Sequence, residues 1–245
     1  MIAEIGRSVS AYVTSDYVLA AFGKDPSNVT TLDALDLPAM KTSLGHIDGR
    51  SPLMLSSDDR GMRIKRFFEY SIRNLLCRYL VKSVFEPFHP RIGPSLSQSL
   101  LATYGKLQKQ DPQTNADATK HDIDPHLNKL ISERLKPVLK HVFGFEVALE
   151  EEHCALIRCV IMMAWDWNLR LKGCYLVDFV PTAFRHPCRL NSELMEDFES
   201  SSQGTVNVLD TMALGLLSRT AIGGGNTVEQ NTTCRTLVVT RNIHR

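Results

Sequence analysis

The sequence predicts a mainly α-helical fold, an irregular bundle of about four to six helices with a short extended segment near the C-terminus. Two observations lead to this prediction. Apolar residues recur at helical spacing through the centre of the chain, and prolines and glycines separate the periodic segments. Of its 245 residues, 43% are hydrophobic and 22% are charged, which is typical of a globular chain with a substantial core.

The first strongly periodic segment predicts an amphipathic helix between residues 59 and 86. Asp58 or Asp59 can cap its start, and the proline-rich stretch after residue 86 ends it. A shorter helix fits SLSQSLLATYGKLQ, residues 95–108. The apolar positions of the first helix are Ile64, Phe68, Ile72, Leu75, Leu76, Tyr79 and Leu80.

The stretch KHDIDPHLNKL, residues 120–130, predicts the start of another helix. Aspartate is a favoured N-cap and proline a favoured first residue, so Asp124 and Pro125 suit these two positions. Pro137 should kink this helix or break it into two pieces, and Gly144 suits its C-terminal end.

A metal site is the alternative interpretation of the same stretch. His121, Asp122, Asp124 and His126 are acceptable ligand types for zinc or another divalent ion. Their spacings match neither a helical i, i+4 zinc pair nor a paired Cys/His finger. We therefore predict no metal and no cofactor.

A further helix is predicted from Val147 to Leu171, with Gly173 as its stop. One of its two tryptophans should be buried and the other half-exposed, because they lie two positions apart. The predicted buried stripe consists of Leu149, Leu156, Cys159, Val160, Met163 and Trp167.

The chain is expected to have three parts. Residues 1–58 should be a poorly ordered segment and residues 59–190 the helical domain. Residues 191–245 should hold a small helix, starting after Asn191, and a flexible tail that can pack on the helical domain. Within the tail, AIGGGNTVEQNTT reads as a loop and CRTLVVTRN as a short strand.

The basic residues concentrate in one stretch. Net charge is only +1, so binding to nucleic acid would need a local patch. On the helix of residues 59–86, Arg63, Arg66 and Arg73 fall together opposite the apolar stripe. Such a face could bind phosphate or an acidic partner, although a solvated helix face is the commoner case.

The chain reads as a soluble intracellular protein, cytoplasmic or nuclear, with no expected membrane contact. Its first residues lack the apolar core of a secretory signal, and charges interrupt its most apolar run. The six cysteines are then expected to be reduced thiols.

Three stretches together resemble a group of helical proteins of filamentous and mushroom-forming fungi that have no assigned activity. They are YLVKSVFEPFHPRIGPSLSQSLLATYGKLQKQDPQTNADATK, MMAWDWNLRLKGCYLVDFVPTAF followed by SELMEDFES, and DTMALGLLSRT. The resemblance implies a fungal intracellular protein of mostly α structure, and it supplies no catalytic or binding residue. The chain departs from the group after Thr119 and again after Thr220.

The expected function is that of a non-enzymatic protein-interaction or scaffold domain with an unknown protein partner. The alternative is nucleic-acid or anion binding through Arg63, Arg66 and Arg73. An enzyme is less expected, because no catalytic motif occurs, although a site dispersed along the sequence stays open.

Overall fold

The structure is a computed structural model that describes most of the chain outside several connecting segments. The described residues are 1–36, 61–86, 95, 99, 123–172, 177–185, 188–198, 206–221 and 228–240. The predicted caps Asp58 and Asp59, and all but Ser95 and Ser99 of the predicted helix at 95–108, lie outside these residues.

Helices fill the first two-thirds of the described chain. The helices are α1 (Ile2–Phe22), α2 (Thr31–Asp36), α3 (Ile64–Leu80), α4 (Asp124–Leu130), α5 (Lys136–Phe143) and α6 (Glu151–Lys172). Two π-helical turns interrupt the α-helical hydrogen bonding: Val81–Phe85 continues α3, and Ile131–Leu135 joins α4 to α5.

Strands fill the remainder of the described chain and form two sheets. The strands are β1 (Asp178–Thr182), β2 (Cys188–Arg189), β3 (Met195–Asp197), β4 (Asn207–Ala213), β5 (Gly215–Ala221), β6 (Val228–Cys234) and β7 (Thr236–Thr240). One sheet has the order β1-β5-β6 and is antiparallel, whereas the other has the order β2-β4-β7-β3 with β3 and β7 parallel.

The predicted mainly α fold is therefore wrong, and the protein combines helices with two sheets. The error arises because two strands lack the alternating pattern of a half-buried strand. All five central residues of β4 are buried, and every residue of β6 is exposed. Neither strand therefore shows the two-residue period by which strands are recognised.

The N-terminal segment is more ordered than predicted. In α1, Ile5, Val9, Val13 and Val18 are completely buried, and the helix packs against α3. Serine and β-branched residues make this stretch a weak helix former on its own, and burial of its valine stripe compensates. The prediction of poor order is wrong for residues 2–22, while residues 37–58 lie outside the described part.

The predicted central helix is confirmed as α3, although it begins at Ile64. Its apolar stripe is buried as the periodicity indicated, with Leu75 partly exposed. Phe68 stacks on Phe143 of α5, with ring centroids 5.1 Å apart. The helical pattern therefore identified the correct face of α3.

The helix start at residue 124 is also confirmed, but the predicted cap is wrong. The N-cap residue is Ile123, without a side-chain hydrogen bond, and Asp124 lies inside the first turn. The α-helical hydrogen bonding is interrupted just before Pro137, as predicted, and α5 ends at Gly144 in the left-handed conformation.

The last predicted helix is confirmed as α6, but half of its predicted buried stripe is wrong. Cys159, Met163 and Trp167 are exposed, whereas Val160 is buried as predicted. The tryptophan pair divides as expected, with Trp165 as the buried one. The residues that are buried instead include His153, Ile157, Ile161, Ala164 and Asn168.

The larger of the two hydrophobic clusters among the described residues joins the helices to the four-stranded sheet. Leu209 and Met212 of β4 and Val239 of β7 belong to the same buried cluster as the helical core residues. Strands beyond residue 190 therefore share buried residues with the helices, and a second, smaller cluster of Met195, Val208 and Val238 lies among the strands. The small helix predicted after Asn191 is instead a turn followed by β3, and the predicted short strand is confirmed as β7.

None of the helices in the described ranges combines the length and the apolar character that crossing a bilayer requires. The described cysteines are all free thiols, and Cys174 lies outside the described residues.

We expect Leu139→Ala to lower the free energy of unfolding by about 2–5 kcal/mol, because it leaves a cavity at a completely buried position. Leu19 is 60% exposed, so Leu19→Ala is the matched control and should change stability by less than about 0.5 kcal/mol. Urea unfolding measures both values. Equal effects of the two substitutions would show that α5 is not packed as described.

Candidate functional site

An apolar pocket of about 440 Å³ lies where α1, α3 and α6 meet the strands. The N-cap residue Met1 and Ile2 at the start of α1 line it, and the connection from β4 to β5 contributes Leu214. Among the described residues that line the pocket, Arg73 alone has a charged side chain. The pocket is thus an apolar cavity with a single cationic side chain.

Helix α6 forms one wall of this pocket. Val160, Met163 and Trp167 lie at i, i+3 and i+7, so they share one face of the helix and all three line the pocket. Met163 and Trp167 are 53% and 54% exposed, which places them at the pocket mouth. We call these two residues the rim.

Arg73 reaches the pocket from α3 while its side chain is almost completely buried. Only 4% of the residue is exposed. Its Nε donates a hydrogen bond to the carbonyl oxygen of Met212 at 3.3 Å, and Nη1 lies 3.5 Å from Glu69 Oε1. The guanidinium also lies over the ring of Phe198, 4.9 Å from the centroid.

Gly6 of α1 allows the close approach on which this arrangement depends. A Cβ atom at Gly6 would lie 2.7 Å from Arg73 Cγ and 3.0 Å from the carbonyl oxygen of Glu69. Real Cβ atoms do not come that close to a side-chain carbon, so any larger residue would push α1 away from α3. Glycine therefore lets the stem of Arg73 lie between the two helices.

A second polar contact crosses the same interface beside the pocket. Asn74 Nδ2 donates a hydrogen bond to Asp210 Oδ1 of β4, and both residues are buried. Burial raises the pKa of the Asp210 carboxyl to about 7, against the lowering effect of the nearby positive charge of Arg78. The carboxyl therefore changes its charge near neutral pH.

The three arginines predicted as one basic face do not share a surface. Arg63 and Arg66 are exposed, and Arg66 Nε donates a hydrogen bond to the Tyr70 hydroxyl at 2.9 Å. Arg73 is buried and forms the internal contacts described above. The apolar periodicity of α3 predicted that Arg73 faces solvent. A sheet covers that side of α3, and the local sequence pattern of the helix does not reveal it.

The residues of the alternative metal interpretation do not come together where the structure describes them. Asp124 forms an ion pair of 2.7 Å with Arg158 of α6, and His126 Nδ1 lies 3.1 Å from the Tyr79 hydroxyl. His121 and Asp122 lie outside the described residues. In the described part of the chain, no three His, Cys, Asp or Glu side chains group together as ligands for a metal ion.

Comparisons with models of known protein families, with curated protein sequences and with solved structures found no significant match. The function proposed below is therefore based on the fold and on the pocket.

Sequence reasoning missed the pocket because it assigned Met163 and Trp167 to the core. One signal could have shown the difference. Apolar residues cover more than one face of α6, since Ile157, Ile161 and Ala164 form a second stripe. A helix with two apolar stripes can bury one in the core and present the other to a ligand.

We expect the stability of the protein to fall as the pH rises from about 4 to about 7, because of Asp210. In this window the unfolded carboxyl, with its ordinary pKa of 3.8, has lost its proton, whereas the folded carboxyl still holds it. Each pH unit between the two pKa values therefore lowers the free energy of unfolding by about 1.4 kcal/mol. Urea unfolding at a series of pH values measures this slope.

Asp210→Asn cannot ionise, so it should remove this part of the pH dependence. The matched control is Asp166→Asn at an exposed position of α6, which should keep the wild-type slope. If the free energy of unfolding changes with pH in the same way in Asp210→Asn and in the wild type, the assigned role of Asp210 is contradicted.

Proposed function

We propose that this chain is a non-enzymatic binding protein that holds a small apolar molecule in the pocket between α1, α3, α6 and the strands. The observation that supports the proposal is the composition of the pocket. A volume of about 440 Å³ lies within the usual range of ligand sites, and apolar walls with few polar groups are typical of such sites.

The exposed rim adds to this support. A methionine and a tryptophan that are each about half exposed lose contact with water when a ligand covers them. Methionine also adapts its shape to different partners because its side chain is unbranched and polarisable. The rim therefore suits the binding of an apolar body rather than a purely structural role.

A protein partner is the second candidate, and the neighbouring Met162 favours it. Met162 is 52% exposed but does not line the pocket, so the apolar surface of α6 extends beyond the pocket mouth. Exposed Met and Trp side chains are enriched at protein interfaces. A partner would cover Met162 together with the rim, whereas a small molecule would contact the rim alone.

We expect Met163→Gln to weaken the binding of decanol about five- to tenfold, because it replaces apolar contact area at the rim. Glutamine has nearly the shape of methionine, so the substitution changes polarity more than volume. Isothermal titration calorimetry with decanol, a neutral chain molecule, measures the affinity.

Met162→Gln is the matched control, because Met162 is also a methionine and is exposed to nearly the same extent as Met163 but does not line the pocket. It should leave the affinity for decanol unchanged. Equal weakening by both substitutions would contradict the small-molecule proposal.

A further inference from the structure

Arg73 is the one cationic side chain among the described residues that line the apolar pocket. The apolar lining residues, such as Leu80, Val160 and Leu216, have no polar side chain. They therefore do not fix the orientation of an apolar ligand within the pocket. A buried guanidinium is different, because it favours an oxygen-bearing anion over a neutral group. The position of Arg73 therefore constrains which ligand the pocket takes.

The contacts that Arg73 already makes leave capacity for such an anion. Among the described residues, its polar partners are Met212, through one hydrogen bond, and Glu69, through one ion-pair contact of 3.5 Å. A guanidinium has five N–H groups, so these two partners do not use all of them. The aromatic ring of Phe198 lies against the planar face of the guanidinium and takes no N–H group.

The charge balance sets the charge of the ligand. Glu69 offsets part of the positive charge of Arg73 but is itself partly exposed to water, which screens it. The first turn of α1 also lines the pocket, and its backbone dipole adds a partial positive charge there. A single negative charge therefore matches the site, whereas a doubly charged group would leave an unbalanced buried charge.

We infer that the pocket binds an apolar monocarboxylic acid, with the apolar body of the ligand against the α6 wall and its carboxylate bound to the guanidinium of Arg73. This inference rests on the proposed small-molecule function and adds the chemical class of the ligand. Carboxylate oxygens fit the planar N–H pairs of arginine, and the apolar walls fit an alkyl or aromatic body.

The first test compares ligands that share a ten-carbon chain and differ in their head group: decanoate, decanol, decyltrimethylammonium and decyl phosphate. Calorimetry at neutral pH and low salt, below the concentrations at which these molecules aggregate, measures each affinity. Decanoate should bind about tenfold more tightly than decanol, because its contact with Arg73 is charge-assisted. Decyltrimethylammonium and decyl phosphate should both bind more weakly than decanoate.

A second test changes the charge at the rim. Met163 is exposed, so Met163→Glu and Met163→Lys should leave the fold intact, and Met163→Gln controls for polarity. Met163→Glu should lower the ratio of decanoate to decanol affinity several-fold, Met163→Lys should raise it, and Met163→Gln should leave it unchanged. Arg73→Gln should abolish the preference for decanoate over decanol. If Arg73→Gln fails to fold, the Met163 variants still test the inference.

The outcomes separate this inference from the proposed function. Equal affinities for decanoate and decanol, with Met163→Gln weakening both, would overturn the carboxylate inference and leave the apolar pocket as a binding site. Tighter binding of decyl phosphate would overturn it in favour of a phosphate head group. No binding of any of the four molecules would overturn both proposals.

Discussion

The burial of one charged side chain, Arg73, is the constraint on which the arrangement of helices and strands depends. A buried guanidinium destabilises the fold unless polar groups surround it. The structure meets this need with the Glu69 carboxylate, the Met212 carbonyl and the face of Phe198. These groups belong to α3, β4 and the residue that follows β3, so the charge is stabilised only when helix and sheet are packed together.

The pocket follows from the same constraint. Gly6 brings α1 close to Arg73, and the Asn74–Asp210 hydrogen bond holds α3 against β4 beside it. The space that remains between these elements and α6 is lined almost wholly by apolar side chains. The contacts that join the two halves of the fold thus also place one cation in an apolar cavity, which is the arrangement that our functional proposals use.

Elements whose apolar residues face one neighbour could be predicted from the sequence, and elements placed by long-range contacts could not. Helix α3 and the start of α4 follow from local periodicity and proline placement. Strand β4 is buried on both faces and β6 on neither, so neither shows an alternating pattern. The site was predicted least well, because Arg73 looks solvated, and Met163 and Trp167 look buried, until the sheet is placed beside the helices.

The central claim is that helices and sheet form one cooperative unit around Arg73. Native-state hydrogen exchange in increasing concentrations of urea tests it most directly, because it gives an opening free energy for each amide. The account predicts one common value, equal to the free energy of global unfolding, for the buried amides of α3 and β4. A lower value for β4, with α3 still protected, would show that the sheet opens independently and would contradict the claim.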